Sequence, residues 1–181
     1  TSVTNMVAEV IQAVGNEEQK NKYLPKICSG EYPAAGFCLT EASAGSDPAG
    51  MKTTATKDGS DYILNGSKMF ITRPEYAGVF VVLAVTDKEA KKGKGISCFL
   101  VENGTPGLTV EAAEHKMGQK ASATNEVRFD NCRIPATALM GEENNGFKVA
   151  VTELAGGRIG IGSLALGVAE AAMDYARQYI A

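Results

Sequence analysis

Between residues 32 and 135 the hydrophobic pattern is that of strands, and no stretch inside that span carries a helical period. Strand signals fall near 34–40, 51–57, 61–66, 68–73, 79–87, 95–102, 107–113 and 125–134. Asp58-Gly59 and Asn65-Gly66 read as hairpin turns. Lys91 to Lys94 forms a charged loop between two apolar strands, and Asn103 to Gly107 forms another turn. So many short strands in sequence predict an antiparallel sandwich or barrel-like sheet pair. A parallel dinucleotide-binding sheet is disfavoured, because it would need helices between the strands.

The two ends of the chain read as helical. Met6, Val7, Val10, Ile11 and Val14 make one apolar stripe. Gly15 stops that helix, and Asn16, followed by Glu17, Glu18 and Gln19, starts a second. The second helix points Tyr23, Leu24 and Ile27 inward, is shortened or strained by Pro25, and ends near Ser29-Gly30. After Pro135 the pattern is helical again. Asn144 or Asn145 caps it, and Phe147, Val151, Leu154 and Arg158 follow at helical spacing. Gly156, Gly157, Gly160, Gly162 and Gly167 each weaken such a helix by about 1 kcal/mol relative to alanine. They point to close helix packing, to a ligand against the backbone, or to a break near Gly156. The expected fold class is therefore α+β, a central antiparallel β-barrel or sandwich-like domain flanked by N-terminal helices and one long C-terminal helix. The expected boundaries are 1–30, 31–137 and 138–181.

Composition narrows the function classes. A net charge of -3, with 22% charged and 44% apolar residues, shows no basic excess for nucleic acid or a membrane surface. The apolar stretch 159–169 reads as too short and too glycine-rich to span a bilayer. Residues 1–14 have neither the basic start nor the cleavage pattern of a signal peptide. Cys28, Cys38, Cys98 and Cys132 form no CxxC pair, so each is expected to be a small core residue in a reducing compartment. His115 is the one histidine and reads as structural or exposed, so no metal site is expected. Gly160-Ile161-Gly162-Ser163-Leu164-Ala165 fits GxGxxA but sits in a helical pattern with no strand before it. Lys91, Lys92 and Lys94 read as a solvated loop. Asn65-Gly66-Ser67 reads as a turn rather than a glycosylation site.

The stretch Cys38 to Gly50, CLTEASAGSDPAG, begins as a strand and changes character at Thr40 and Glu41. Ala42 to Gly50 is built from small residues, one acid and one proline. Such a loop lets a ligand approach the main chain, and amides from Ala44 to Asp47 suit an anion. A plain connecting loop has the same composition.

These thirteen residues resemble a signature of the acyl-CoA dehydrogenase family of flavin enzymes. Further matches follow in the family's order: Asn65-Gly66-Ser67-Lys68-Met69-Phe70-Ile71-Thr72, then Lys116-Met117-Gly118 with Ser122 and Thr124, then Val127, Phe129, Ile134-Pro135 and Gly146-Phe147, and last Gly157-Arg158. The resemblance covers essentially the whole chain. It implies FAD as cofactor, held by Phe37, Leu39, Thr40, Gly45, Ser46, Phe70, Ile71 and Thr72. It places Ser46, Leu154 and Arg158 at an acyl-CoA substrate. It also implies a piece of a longer enzyme, with an electron-transfer flavoprotein as acceptor and a homo-oligomer built through further helices. The expected location is the bacterial cytoplasm or the mitochondrial matrix. No catalytic residue is assigned. The family's base is a glutamate further along the chain, or directly before the arginine matched by Arg158, and that position is Gly157. Glu41 and Asp47 are expected to be structural. Two features depart from the family pattern, Arg73-Pro74 beyond the flavin wall and Ala155 where relatives carry an acidic or polar residue. They leave room for a flavin monooxygenase, oxidase or desulfinase on the same scaffold. A non-catalytic β-domain is the reading from outside the enzymes.

Overall fold

A computed structural model describes residues 2–180. Its elements run α1 (Ser2–Val14), α2 (Glu17–Ser29), β1 (Ala34–Cys38), β2 (Thr54–Asp58), β3 (Asp61–Thr72), β4 (Ala77–Val85), β5 (Ile96–Glu102), β6 (Leu108–Ala113), β7 (Thr124–Pro135), β8 (Leu139–Met140) and α3 (Gly146–Ile180).

The helix signals act as read. Asn16 caps α2 through a reciprocal box: its side chain accepts from the Gln19 amide and Gln19 reaches back to the Asn16 amide. Gly30, in the left-handed region, closes the same helix. Pro25 does not shorten α2, which runs to Ser29. Gln19 has a second use. Its buried amide donates to the carbonyls of Thr137 (2.8 Å) and Leu139 (2.9 Å), tying α2 to the chain that leaves β7.

All eight strands join one sheet in the order β6-β7-β3-β2-β4-β5-β8, with β1 also paired to β4. Three expectations are corrected. The sheet does not close into a barrel, and it is mixed rather than antiparallel, since β1 and β2 run parallel to β4. Asp58-Gly59 does make the β2–β3 hairpin, but Asn65-Gly66 makes no turn. Segments 61–66 and 68–73 are one strand, β3, because β7 pairs along its whole length and the register shifts at Gly66 instead of reversing. Finally, the short strand β8 pairs with β5 and has no counterpart in the sequence pattern.

β4 and β5 are apolar on both faces because both faces are covered. Val79, Val81 and Leu83 face a core shared with α1, α2 and the start of α3. Phe80, Val82 and Ala84 face a second core made with β3 and β7. Cys38, Cys98 and Cys132 are buried as expected, whereas Cys28, in the last turn of α2, is exposed.

α3 is one continuous 35-residue helix with no break at Gly156. The apolar stretch is longer than 159–169 suggests. An 18-residue window has mean hydropathy 1.3, so α3 is long and apolar enough to cross a bilayer by length and composition. It also carries Glu153, Arg158, Glu170, Asp174 and Arg177, charges that a bilayer centre penalises.

Candidate functional site

β1 ends at Cys38 and the chain leaves the sheet beside β3, where the Thr40 carbonyl accepts the Met69 N–H at 2.8 Å. The loop that follows is pinned from beneath by a buried ion pair. Lys68 on β3 is fully buried and donates to Glu41 Oε1 (2.8 Å) and to the Leu39 carbonyl (3.1 Å). The Glu41 carboxylate also accepts the amides of Lys52 (2.6 Å) and Thr53 (3.0 Å). Glu41 and Ala44 exchange backbone hydrogen bonds across a tight turn. Burial works against the Glu41 charge, but the Lys68 ammonium and these donors outweigh it and hold the carboxyl below its ordinary range. Burial pushes the Lys68 ammonium down, opposed by Glu41. Glu41 is therefore structural, as expected, and Lys68 is a partner the sequence reading did not single out.

The second half of the site comes from a bulge in β3. Lys68 and Ile71 both point inward although they are three residues apart, which a regular strand forbids. The β3–β7 register shifts between them. Phe70 takes up the difference at φ 59, in the left-handed region, and its ring is 61% exposed. A non-glycine residue there is strained by about 1–3 kcal/mol and signals a functional constraint. Arg73 repeats the conformation at φ 48 and stacks its guanidinium over Tyr76 at 5.2 Å. The Arg73-Pro74 departure therefore has a defined structure: Pro74 is buried and opens a 3-10 turn.

The structure brings part of the expected cofactor set together. Thr40 and the Phe70–Thr72 segment lie on adjacent stretches of backbone. Among the described residues, the hydroxyls of Thr40, Ser46 and Thr72 form no hydrogen bond within the protein. Leu39 and Ile71 are buried in the two separate cores, so only their main chain is open to a ligand. Phe37 is half-buried on β1, and Gly45 and Ser46 are exposed in the loop.

The substrate set divides between two places. Leu154 and Arg158 line a cleft of about 510 Å³ between α1 and α3, with Met6, Glu9, Gly157 and Ile161. Ser46 is not on that cleft. It stands in a loop whose Asp47 pairs with Lys92 and whose Ala49 approaches Gly93, which in turn meets the Phe147 ring. Gly157 has no side chain to act as a base; a Cβ there would meet Met6 Sδ at 3.3 Å. Arg158 is exposed and, among the described residues, makes no ion pair. His115 is exposed, and no group of metal-ligating side chains occurs among the described residues.

Comparison with known proteins follows this geometry. Residues 36–132 match the family model described as acyl-CoA dehydrogenase, middle domain, and residues 1–31 match acyl-CoA dehydrogenase, N-terminal domain. The chain is 45% identical to acryloyl-CoA reductase (NADH) of Anaerotignum propionicum, over 99% of this chain and 45% of that protein. Its fold superposes on butyryl-CoA dehydrogenase of Megasphaera elsdenii with a TM-score of 0.89 at 44% identity, over 93% of this chain and 44% of that one. It superposes on a glutaryl-CoA dehydrogenase of Mycobacterium smegmatis in complex with FADH2 with a TM-score of 0.80 at 42% identity, over 88% and 40%. The chain thus spans less than half the length of these relatives.

Proposed function

Because this chain belongs to the acyl-CoA dehydrogenase family, we propose that it carries the flavin-binding part of an FAD-dependent oxidoreductase acting on the CH–CH group of an acyl-CoA thioester. The observation that carries this reading is the strained bulge at Phe70. It spends conformational energy to expose an aromatic ring beside two hydroxyls, Thr40 and Thr72, that no protein group uses. A planar, hydrogen-bonding ring system is the ligand that uses all three. The solved relative with FADH2 supports the same assignment.

Bound FAD would supply the hydride acceptor for the reaction. The chain's own contribution is to bind and orient. Phe70 offers a wall, and Phe37, Gly45 and Ser46 line the approach along the signature loop. Thr40, Thr72 and the main chain of Leu39 and Ile71 offer polar groups to the ring's rim, where donors stabilise the charge of a reduced flavin. Lys68 and Glu41 hold the loop in place without touching a ligand. The apolar cleft between α1 and α3, with Leu154 and Arg158 on its wall, suits the substrate's chain and its polar link. We assign no α-proton base within this chain. Electron-transfer flavoprotein as acceptor, assembly of the whole protein as a homo-oligomer, and a bacterial-cytoplasm or mitochondrial-matrix location follow from the family and belong to the same proposal. So does a division at 1–30, 31–137 and 138–181, supported by the change of element type near each boundary.

The test is a fluorescence titration of FAD with this chain and with Thr40→Ala/Thr72→Ala. The expected result is saturable quenching, weakened at least tenfold in the double variant. Equal affinity of the two proteins, or no binding by the wild-type chain, would overturn the assignment of the flavin site to these residues.

A further inference from the structure

α1 and α3 pack antiparallel. Val14 lies against Gly141, just before α3, and Met6 lies against Gly157. One turn from the Met6–Gly157 contact, Glu9 of α1 and Glu153 of α3 are brought face to face. Glu9 lines the cleft, whose other walls are mostly apolar. Glu153 Oε1 is wholly buried and has no donor. Among the described residues neither carboxyl has a cation within ion-pair distance. A buried carboxylate oxygen without a donor is costly, and the one group in reach that can supply a proton to it is the facing acid.

We propose that Glu9 and Glu153 share one proton across the α1–α3 contact, so that this wall of the cleft carries one negative charge rather than two near neutral pH. Two acids held this close titrate as a pair, since the second ionisation must be made beside the first. Burial and the hydrogen bond to Glu9 push Glu153 up to about 7, in agreement with the geometry. The charged and titratable groups around the pair are few. α1 carries no other charge. On α3, Lys148 and Arg158 lie five residues to either side of Glu153, and Arg158 lines the cleft. From α2, Cys28 shares a groove with Glu9. The folded chain therefore binds a proton that the unfolded chain releases at an ordinary glutamate value of about 4.3. Stability from this pair is complete below about 4.3 and is lost as pH rises through about 7.

The test is a carbon-13 carboxyl NMR titration of the chain and of Glu9→Gln, with thermal unfolding from pH 5 to 9 for wild type, Glu153→Gln and Glu9→Gln. The expected result is a Glu153 midpoint near 7 that falls toward about 4.3 in Glu9→Gln. Wild-type melting temperature should fall over this pH range, and Glu153→Gln should flatten the fall. A Glu153 midpoint near the ordinary value, or parallel melting curves in wild type and Glu153→Gln, would overturn the proposal. Neither outcome depends on flavin binding.

Discussion

Replacing Lys68 by methionine isolates what holds the signature loop. The Lys68 side chain is wholly buried and Glu41 is 7% exposed, so solvent cannot replace the lost partner. Removing one member of a buried pair costs about 3–5 kcal/mol, because the other charge stays behind unpaired. Two features set where this site falls in that range. Glu41 keeps two backbone donors, from Lys52 and Thr53, which lowers the penalty. The Leu39 carbonyl loses its contact with Lys68, which adds a desolvation cost of about 1–3 kcal/mol. A loss of about 3–4 kcal/mol is expected. That corresponds to a fall of roughly 6–16 °C in melting temperature for a chain of this size. Urea unfolding at pH 7 measures it. The double variant Lys68→Met/Glu41→Gln should recover at least about 1 kcal/mol, since it removes the stranded charge. A loss below about 1 kcal/mol for Lys68→Met, or a double variant whose cost is the sum of the singles, would refute the claim that this pair pins the loop.

Glu41 should also shape acid stability. Its carboxyl is held below the ordinary range, so its contribution is present above about 4.3 and is lost as pH falls through its lower folded value. Glu41→Gln should flatten the decline in melting temperature between pH 4.5 and 2.5, and an unchanged slope would count against the pair. Gly66→Ala should cost at least about 1–3 kcal/mol in urea unfolding, because Gly66 sits at φ 144 with a Cβ position 2.5–2.8 Å from Thr53 atoms; an unchanged midpoint would reject the strain. Gln19→Leu should lose about 1–3 kcal/mol by the same measurement, because it removes the donors to the Thr137 and Leu139 carbonyls. Phe70→Asn should gain up to about 1 kcal/mol, since asparagine tolerates the left-handed region, while weakening FAD binding. Stability and FAD affinity falling together would show that the ring is a packing residue.

The helices and most strand positions were legible because each depends on local pattern. The Asn16–Gln19 box and Gly30 stop act within one turn of chain, and the continuous apolar runs in β4 and β5 needed only coverage on both faces to become strands. What escaped depended on partners far along the chain. Asn65-Gly66 has the residues of a hairpin turn, but β7 crosses it and the Asn131 amide takes Asn65 Oδ1 at 2.8 Å, so a bulge forms there instead. β8 is two residues long and exists because β5 has a free edge beside it. Lys68 reads as a surface lysine until Glu41, twenty-seven residues earlier, is placed against it. Cys28 follows an apolar residue in α2 as the buried cysteines follow theirs, yet falls on the open side of the helix. The candidate site's parts were legible through resemblance. Their separation was not: the sequence grouped Ser46 with Leu154 and Arg158, whereas the structure puts Ser46 by the basic loop and the other two on the α1–α3 cleft.

The buried pair and the exposed ring are two consequences of one irregularity. With period two, a strand that buries Lys68 would bury Phe70 and expose Ile71. Phe70 would then enter the core beside Phe80, and Ile71 would face water. The extra residue in β3 lets Lys68 reach Glu41 and Ile71 join the core while Phe70 turns outward. The strain at Phe70 is offset by the burial on either side of it, about 1.5–3 kcal/mol for Ile71 alone. Such an arrangement resists drift toward a regular strand, because restoring the register would bury the wrong side chain and strand a carboxylate. The loop that Lys68 anchors and the ring that the bulge exposes are therefore fixed together, and a substitution that relaxes one should displace the other.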